Sequence, residues 1–91
     1  MERAFNAREN GRVDEAIALY TEAASEMPGN WVVFYYRAIC RLKAGDKAGA
    51  IRDLENAIKV NSRYSGKAQE LLDEVNGGVI KIGKELDDLF K

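Results

Sequence analysis

The sequence predicts an all-α fold made of antiparallel helix-turn-helix repeats, the architecture of an α-solenoid. Three observations lead to this prediction. Segments of about ten to sixteen residues rich in Ala, Leu, Glu, Lys and Arg, which favour helices, alternate with glycines and a single proline. Residues that lie 34 positions apart repeat in type and size. The one stretch rich in β-forming residues, WVVFYY, continues without a break into RAICRLKA.

The repeat appears when each residue is written above the residue 34 positions later. In this register the glycine of the first turn, Gly11, falls on Gly45. The other matching pairs are Ala4 with Ala38, Ala16 with Ala50, Ile17 with Ile51, Tyr20 with Leu54 and Ala23 with Ala57. The chain is therefore interpreted as one domain: a first repeat that is short at its N-terminus (1–30), a second repeat (31–64), and a partial repeat with a C-terminal capping helix (65–91).

Six helices follow from this pattern, and the short connections between them make consecutive helices antiparallel. Gly11 and Gly45 are expected in left-handed backbone at helix C-termini. Asn30 and Asp46 are expected to cap the N-termini of the helices that follow them. The predicted helices span, in chain order, residues 2–10, 13–27, 31–44, 47–60, 65–76 and 79–90.

The predicted helix 31–44 is apolar nearly all the way round, and only Arg37 and Arg41 interrupt its surface. A helix at the surface of a globular protein needs an apolar arc of only about 100°. This helix is therefore expected either to lie between neighbouring helices or to present an apolar face to a partner.

The predicted helix 79–90 places apolar residues on one side and charged residues on the other. Its apolar side consists of Val79, Ile82, Gly83, Leu86, Leu89 and Phe90. Because such a side has to be buried, the helix is expected to cap the helix 65–76. The alternatives are docking on the chain's own binding face, on a second copy, or on a neighbour in a longer protein.

Composition excludes most catalytic chemistry. The sequence has no histidine and one cysteine, Cys40, so it offers no imidazole, no intramolecular disulfide and no cysteine-rich zinc cluster. Cys40 itself is interpreted as a buried apolar residue. Fourteen Lys and Arg against fifteen Asp and Glu give a net charge of −1, which favours neither nucleic acid nor an anionic membrane as a partner. We expect no enzymatic activity, no cofactor and no metal, and a cytoplasmic location or a soluble fragment of a larger protein.

These features resemble the tetratricopeptide repeat family, whose unit is a 34-residue helix-turn-helix with small residues at fixed positions. The segments NGRVDEAIALYTEAASEMPGN and FYYRAICRLKAGDKAGAIRDLENAIKV carry the resemblance. The small positions hold Ala4, Ala16, Ala23, Ala38, Ala50 and Ala57, and the large positions hold Tyr20, Phe34 and Leu54. The sequence departs from the family at Ser62, where the closing proline is expected, and the pattern fades after Gly78.

The resemblance implies a concave groove, lined by the first helix of each hairpin, in which a partner segment lies. Carried over by position, the groove residues are Phe5, Arg8, Val32, Tyr35, Ile39, Leu42 and Lys43. For Val32 and Ile39 the alternative is that they only pack against neighbouring helices. The resemblance also implies an ion pair between Arg37 and Asp53, because the guanidinium fork matches a carboxylate. Tyr36 stands where some members use an asparagine to hold a partner's terminal carboxylate, so that binding mode is not expected.

The sequence thus predicts a non-catalytic module that binds a peptide or helix of a partner protein in the groove, with no nucleic-acid or membrane partner. The alternative is a self-associating assembly subunit. In that case a homo-oligomer forms through the helix 31–44 or through the C-terminal helix.

Overall fold

The computed structural model describes residues 2–61, 63 and 66–77, and in this part each helix packs against the next one in the chain. Its helices are α1 (Glu2–Glu9), α2 (Val13–Glu26), α3 (Trp31–Lys43), α4 (Lys47–Val60) and α5 (Gly66–Gly77). The all-α prediction is confirmed, and the predicted ends of these helices differ from the observed ends by one residue at most. The predicted helix 79–90 lies outside the described residues. Within them, no helix is long and apolar enough to cross a membrane.

The turns inside the two hairpins are built from the same hydrogen bonds. Gly11 and Gly45 have φ angles of +73° and +86°, in the left-handed region, as predicted. In the first turn, Gly11 N–H donates to the Arg8 carbonyl (3.0 Å) and Arg12 N–H donates to the Ala7 carbonyl (2.9 Å). In the second turn, Gly45 N–H donates to the Leu42 carbonyl (3.1 Å) and Asp46 N–H donates to the Arg41 carbonyl (2.8 Å). This Schellman pattern pairs carbonyls that a helix C-terminus otherwise leaves without a partner.

The N-termini of the helices are capped unequally. The Asp46 carboxylate accepts a hydrogen bond from the Gly49 N–H of α4 at 2.9 Å, and the Asn30 side chain caps α3 in the same way, so both predicted caps are confirmed. Arg12 holds the equivalent place before α2 and makes no capping hydrogen bond. Instead, Asp14 lies in the first turn of α2, where a negative charge interacts favourably with the helix N-terminus.

Small residues let the helices approach closely, and one large residue fills the space between them in each repeat. Ala16 and Ala50 have no exposed surface. Tyr20 and Leu54 occupy the equivalent large positions four residues later and are also completely buried. Burial of an apolar side chain such as that of Leu54 contributes about 1.5–3 kcal/mol. The 34-residue pattern therefore corresponds to two core clusters of the same design.

Helix α3 belongs to both clusters. Val33 and Cys40 pack with residues of α1 and α2, whereas Ala38 and Ile39 pack with residues of α4 and α5. The apolar surface that runs round this helix is therefore explained by packing on two sides.

Candidate functional site

One side of α3 carries most of the predicted groove. Val32, Tyr35 and Leu42 are half-buried there, and Lys43 is exposed. Their spacing of three, seven and one residues keeps them within an arc of about 100° on a helix of 3.6 residues per turn. We call these four residues the α3 stripe, which is about 16 Å long at 1.5 Å per residue.

Ile39 lies within the arc of the stripe but not at its surface. Its side chain is 1% exposed and belongs to the cluster that contains Leu54 of α4 and Leu71 of α5. The expectation that Ile39 lines the groove is corrected accordingly, and the packing alternative applies to it. Val32 keeps partial exposure.

Arg8 of α1 is also buried, with 2% of its surface exposed. Its guanidinium lies over the ring of Tyr36, 4.4 Å from the ring centroid, in cation–π geometry, and its Nη2 is 3.8 Å from a carboxylate oxygen of Glu9. As a correction to the sequence prediction, this charge is held inside the structure and does not project from the groove. The side chain of Phe5 lies outside the described residues.

Four aromatic rings connect the stripe to the first core cluster. The ring of Tyr36 lies 6.1 Å from that of Tyr20 and 5.7 Å from that of Tyr35, and Tyr35 meets Trp31 at 5.8 Å in an edge-on contact. Such contacts restrict the rotamers of Tyr35 and so reduce the entropy that binding would cost. These ring contacts of Tyr36 and Tyr20 were not predicted from the sequence, although Tyr36 is adjacent to a predicted groove residue.

The opposite side of α3 carries an ion network around Asp53, which is 1% exposed. Arg37 Nε and Nη2 donate to the two carboxylate oxygens at 2.9 and 2.6 Å, and Arg41 Nη1 donates to one of them at 2.9 Å. Arg37 Nη1 also donates to Thr21 Oγ1 of α2 at 3.2 Å. Arg37 and Asp53 are thus in bidentate contact. Arg41 was not assigned to this network, although its place four residues after Arg37 puts both on one side of the helix.

The network is turned away from the α3 stripe. Arg37 lies two residues from Tyr35, which corresponds to about 200° around the helix axis. The hydrogen bonds of Arg37 join α2, α3 and α4. Together with the bond from Arg41, they hold both arginines to the buried carboxylate of Asp53. The arginines of α3 therefore have a structural role, and they lie on the side of the helix opposite the α3 stripe.

Cys40 has no exposed surface, and burial raises the pKa of its thiol to about 11, although the nearby Arg8 acts in the opposite direction. The thiol is therefore protonated and inaccessible near neutral pH, which does not suit a nucleophile. In the part of the chain that the structure describes, no three His, Cys, Asp or Glu side chains are grouped so as to hold a metal ion.

Comparison with known proteins gives a family match and two relatives. The family model described as tetratricopeptide repeat matches residues 7–61, which contain α2, α3 and α4. Hsc70-interacting proteins 1 and 2 of Drosophila melanogaster are each 35% identical to the chain over 78 residues, an alignment that covers 79% of the chain. The same alignment covers 21% of each relative, so the chain spans about a fifth of their length. No solved structure matches the chain significantly.

Proposed function

The chain belongs to the tetratricopeptide repeat family, and on this basis we propose that it is a non-catalytic module that binds a segment of a partner protein along the α3 stripe. One observation carries the proposal: Val32, Tyr35 and Leu42 are partly exposed on one side of α3, while its buried residues pack into the two core clusters. Covering such side chains with an apolar partner surface is favourable, because it removes them from water.

The length of the stripe limits what can bind. About 16 Å accommodates a helix of about eleven residues or an extended segment of about five residues. A contact of this size is small compared with stable protein–protein interfaces, which bury about 1,200–2,000 Å². We therefore propose reversible binding of a short segment, with a Kd on the order of micromolar.

Charge sets a preference at one end of the stripe. Helix α3 contains Arg37, Arg41 and Lys43 and no acidic residue. Lys43 is exposed at the C-terminal end of the stripe, and both arginines lie on the opposite side of the helix. A partner segment with a carboxylate at that end is favoured. An exposed ion pair contributes at most about 1 kcal/mol, so this charge serves selectivity more than affinity.

The relatives supply a candidate partner. Both are named for interaction with Hsc70, and the part of them that aligns covers 79% of this chain. We therefore propose an Hsc70-type protein as the binding partner. The aligned part is only about a fifth of each relative, so another part of the relatives could bind Hsc70. The proposal is therefore tested by measuring the binding of this chain alone to Hsc70.

The test measures binding of the full chain to purified, immobilised Hsc70 by biolayer interferometry. Leu42→Glu should weaken binding at least about tenfold, because it places a charge within the apolar contact. Lys43→Glu should weaken it about threefold through charge reversal. The matched control is Val60→Glu on α4, since Val60 is a large apolar residue with 38% exposure outside the stripe. This control should bind like the unmodified chain.

Two results would contradict the proposal. If the unmodified chain shows no binding to Hsc70, the proposed partner is wrong. If Leu42→Glu and Lys43→Glu both bind normally while Val60→Glu does not, the proposed face is wrong. Circular dichroism at 222 nm separates lost contact from lost folding, and Lys43→Glu leaves the core unchanged because Lys43 is exposed.

A further inference from the structure

We propose that Arg8 of α1 is a positioning residue of the α3 stripe: it holds the ring of Tyr36, and Tyr36 in turn holds Tyr35 in the rotamer that a partner meets. This inference rests on the proposed function, and it assigns part of the affinity to a residue that is buried away from the partner. Three observations support it: the place of Arg8 in the repeat, its contact with Tyr36, and the ring contacts that lead from Tyr36 to the stripe.

The fold does not require a charge at the position of Arg8. The residue 34 positions later is Leu42, an apolar residue that is half-buried on the stripe. Arg8 is only 2% exposed, and burying a guanidinium costs more free energy than burying an apolar side chain of similar size. The arginine therefore supplies an interaction that an apolar residue in its place would not supply.

That interaction is the contact with the ring of Tyr36. The Cζ atom of Arg8 is 4.4 Å from the ring centroid, well inside the distance of about 6 Å within which an aromatic face attracts a cation. The ring of Tyr20 is 6.1 Å from that of Tyr36, so Arg8 makes the closer of these two contacts. Because the attraction depends on where the charge lies relative to the face, the cation restricts the orientation of the ring.

The ring of Tyr36 transmits this restriction to the stripe. Its centroid is 5.7 Å from that of Tyr35, with an angle of 55° between the planes, and Tyr35 contacts Trp31 on α3 at 5.8 Å. Tyr35 thus contacts two rings, and Arg8 of α1 restricts one of them. Without the cation the ring of Tyr36 can change its orientation, and Tyr35 then has room for a second rotamer. A partner would have to immobilise Tyr35 on binding, which lowers the affinity.

The first test measures the χ1 rotamers of Tyr35 in the chain without a partner, from the three-bond NMR couplings between its Cγ and the backbone. In the unmodified chain the couplings should be those of one rotamer. Arg8→Met should give averaged couplings, because methionine fills a similar space without a charge. Arg8→Lys keeps a cation that can lie over the ring and should preserve the single rotamer. Arg3→Met is the matched control, since Arg3 is an exposed arginine of the same helix, and it should change nothing.

This measurement separates positioning from stability, because a loss of stability alone does not change the rotamers of the folded chain. Circular dichroism shows whether each variant is folded. If Arg8→Met unfolds the chain, Arg8→Gln takes its place, because it also removes the charge. Couplings of Tyr35 that are the same in the uncharged variant and in the unmodified chain overturn the inference. So do couplings that change as much in Arg3→Met.

Binding of the same chains to immobilised Hsc70 tests the consequence for affinity. The Kd of Arg8→Met should be about two- to tenfold higher, the range expected when a partner has to immobilise one more side chain. Arg8→Lys and Arg3→Met should bind like the unmodified chain.

The two measurements also separate this inference from the proposed function. If Hsc70 binds none of the chains while the couplings of Tyr35 are averaged in Arg8→Met, the proposed partner is wrong and the positioning of Tyr35 by Arg8 is supported. If Hsc70 binding depends on Leu42 but is equally tight in Arg8→Met and in the unmodified chain, the inference is overturned and the proposed function stands.

Discussion

Asp53 explains how α3 holds two arginines on a side that faces other helices. A buried carboxylate is costly unless its oxygens are hydrogen-bonded and its charge is balanced. Three charge-assisted hydrogen bonds of 2.6–2.9 Å from Arg37 and Arg41 meet both requirements. The side chains of Arg37 and Arg41 are only 11% and 22% exposed. Removing the carboxylate therefore leaves Arg37 without this counter-charge and leaves Arg41 with the more distant carboxylate of Asp46, at 3.9 Å.

For this reason we predict that Asp53→Asn lowers the free energy of unfolding by about 3 kcal/mol. Urea titration followed by the fluorescence of Trp31 measures the change. Glu22→Gln is the control, because Glu22 is an exposed carboxylate in the interior of α2 and its replacement should change stability by no more than about 0.5 kcal/mol. Equal stability of the two variants would show that the network contributes little.

The buried phenol of Tyr20 and the buried thiol of Cys40 should make the stability of the protein decrease at alkaline pH. Burial raises the pKa of Tyr20 from 10.0 to about 12, and the pKa of Cys40 from 9.0 to about 11. The unfolded chain therefore loses these protons at lower pH than the folded chain does. Their contribution to stability is complete below pH 9 and decreases as the pH rises through the range from about 9 to about 12.

Replacement of Tyr20 by Phe should make the urea midpoint depend less on pH above about 10, because the variant has no phenol to ionise. The measurement is a series of urea titrations from neutral to alkaline pH, with Tyr20→Phe compared with the unmodified chain. A midpoint that falls equally steeply in both chains would exclude Tyr20 as the cause.

At the scale of the elements, the N-termini of α2 and α4 have similar backbone geometry but different side chains at the residue that precedes the helix. The residues before them, Arg12 and Asp46, have nearly the same backbone angles, with φ of −86° and −91° and ψ of 75° and 74°. Asp46 accepts a hydrogen bond from the first turn of its helix, and Arg12 makes none. The backbone of the first repeat is thus already arranged for a cap that its side chain does not provide.

We predict that Arg12→Asn raises the free energy of unfolding by about 0.5–1 kcal/mol, and that Asp46→Ala lowers it by about 1 kcal/mol. The exposed ion pair between Arg12 and Glu15, at 3.3 Å, is lost in the first variant, but such pairs contribute little. Thermal unfolding by circular dichroism compares both variants with the unmodified chain. If only Asp46→Ala has an effect, equivalent backbone angles are not sufficient for capping.

The helices and their turns could be predicted from the sequence because local chemistry determines them. A left-handed glycine, an Asn or Asp cap and a 34-residue period each act over a few residues. The sequence could not predict that Ile39 is buried while Val32 is partly exposed, because α3 is apolar nearly all round and its two arginines contact a buried carboxylate. The burial of Arg8 depends on the ring of Tyr36, which belongs to another hairpin. The partial repeat and its capping helix remain a prediction.

For the whole molecule, we predict a monomer of about 10 kDa that persists over about a hundredfold dilution. Among the described residues, Val60 stands out as a large apolar side chain with more than a third of its surface exposed, which is too little for a stable interface between copies. Light scattering measures the mass. A dimer that survives dilution would contradict this prediction and support self-association as the function.

Helix α3 also determines how the molecule comes apart. In repeat arrays each unit contacts only its neighbours, and a terminal unit can unfold while the rest stays folded. Here α3 supplies Val33 to one core cluster and Ile39 to the other, and Arg37 bonds to Thr21 and Asp53 on either side of it. Loss of the second hairpin would remove Val33 and Cys40 from the first core cluster, and loss of the first hairpin would expose these two residues. The slowest-exchanging amide hydrogens of α2 and α4 should therefore report the same opening free energy, that of global unfolding.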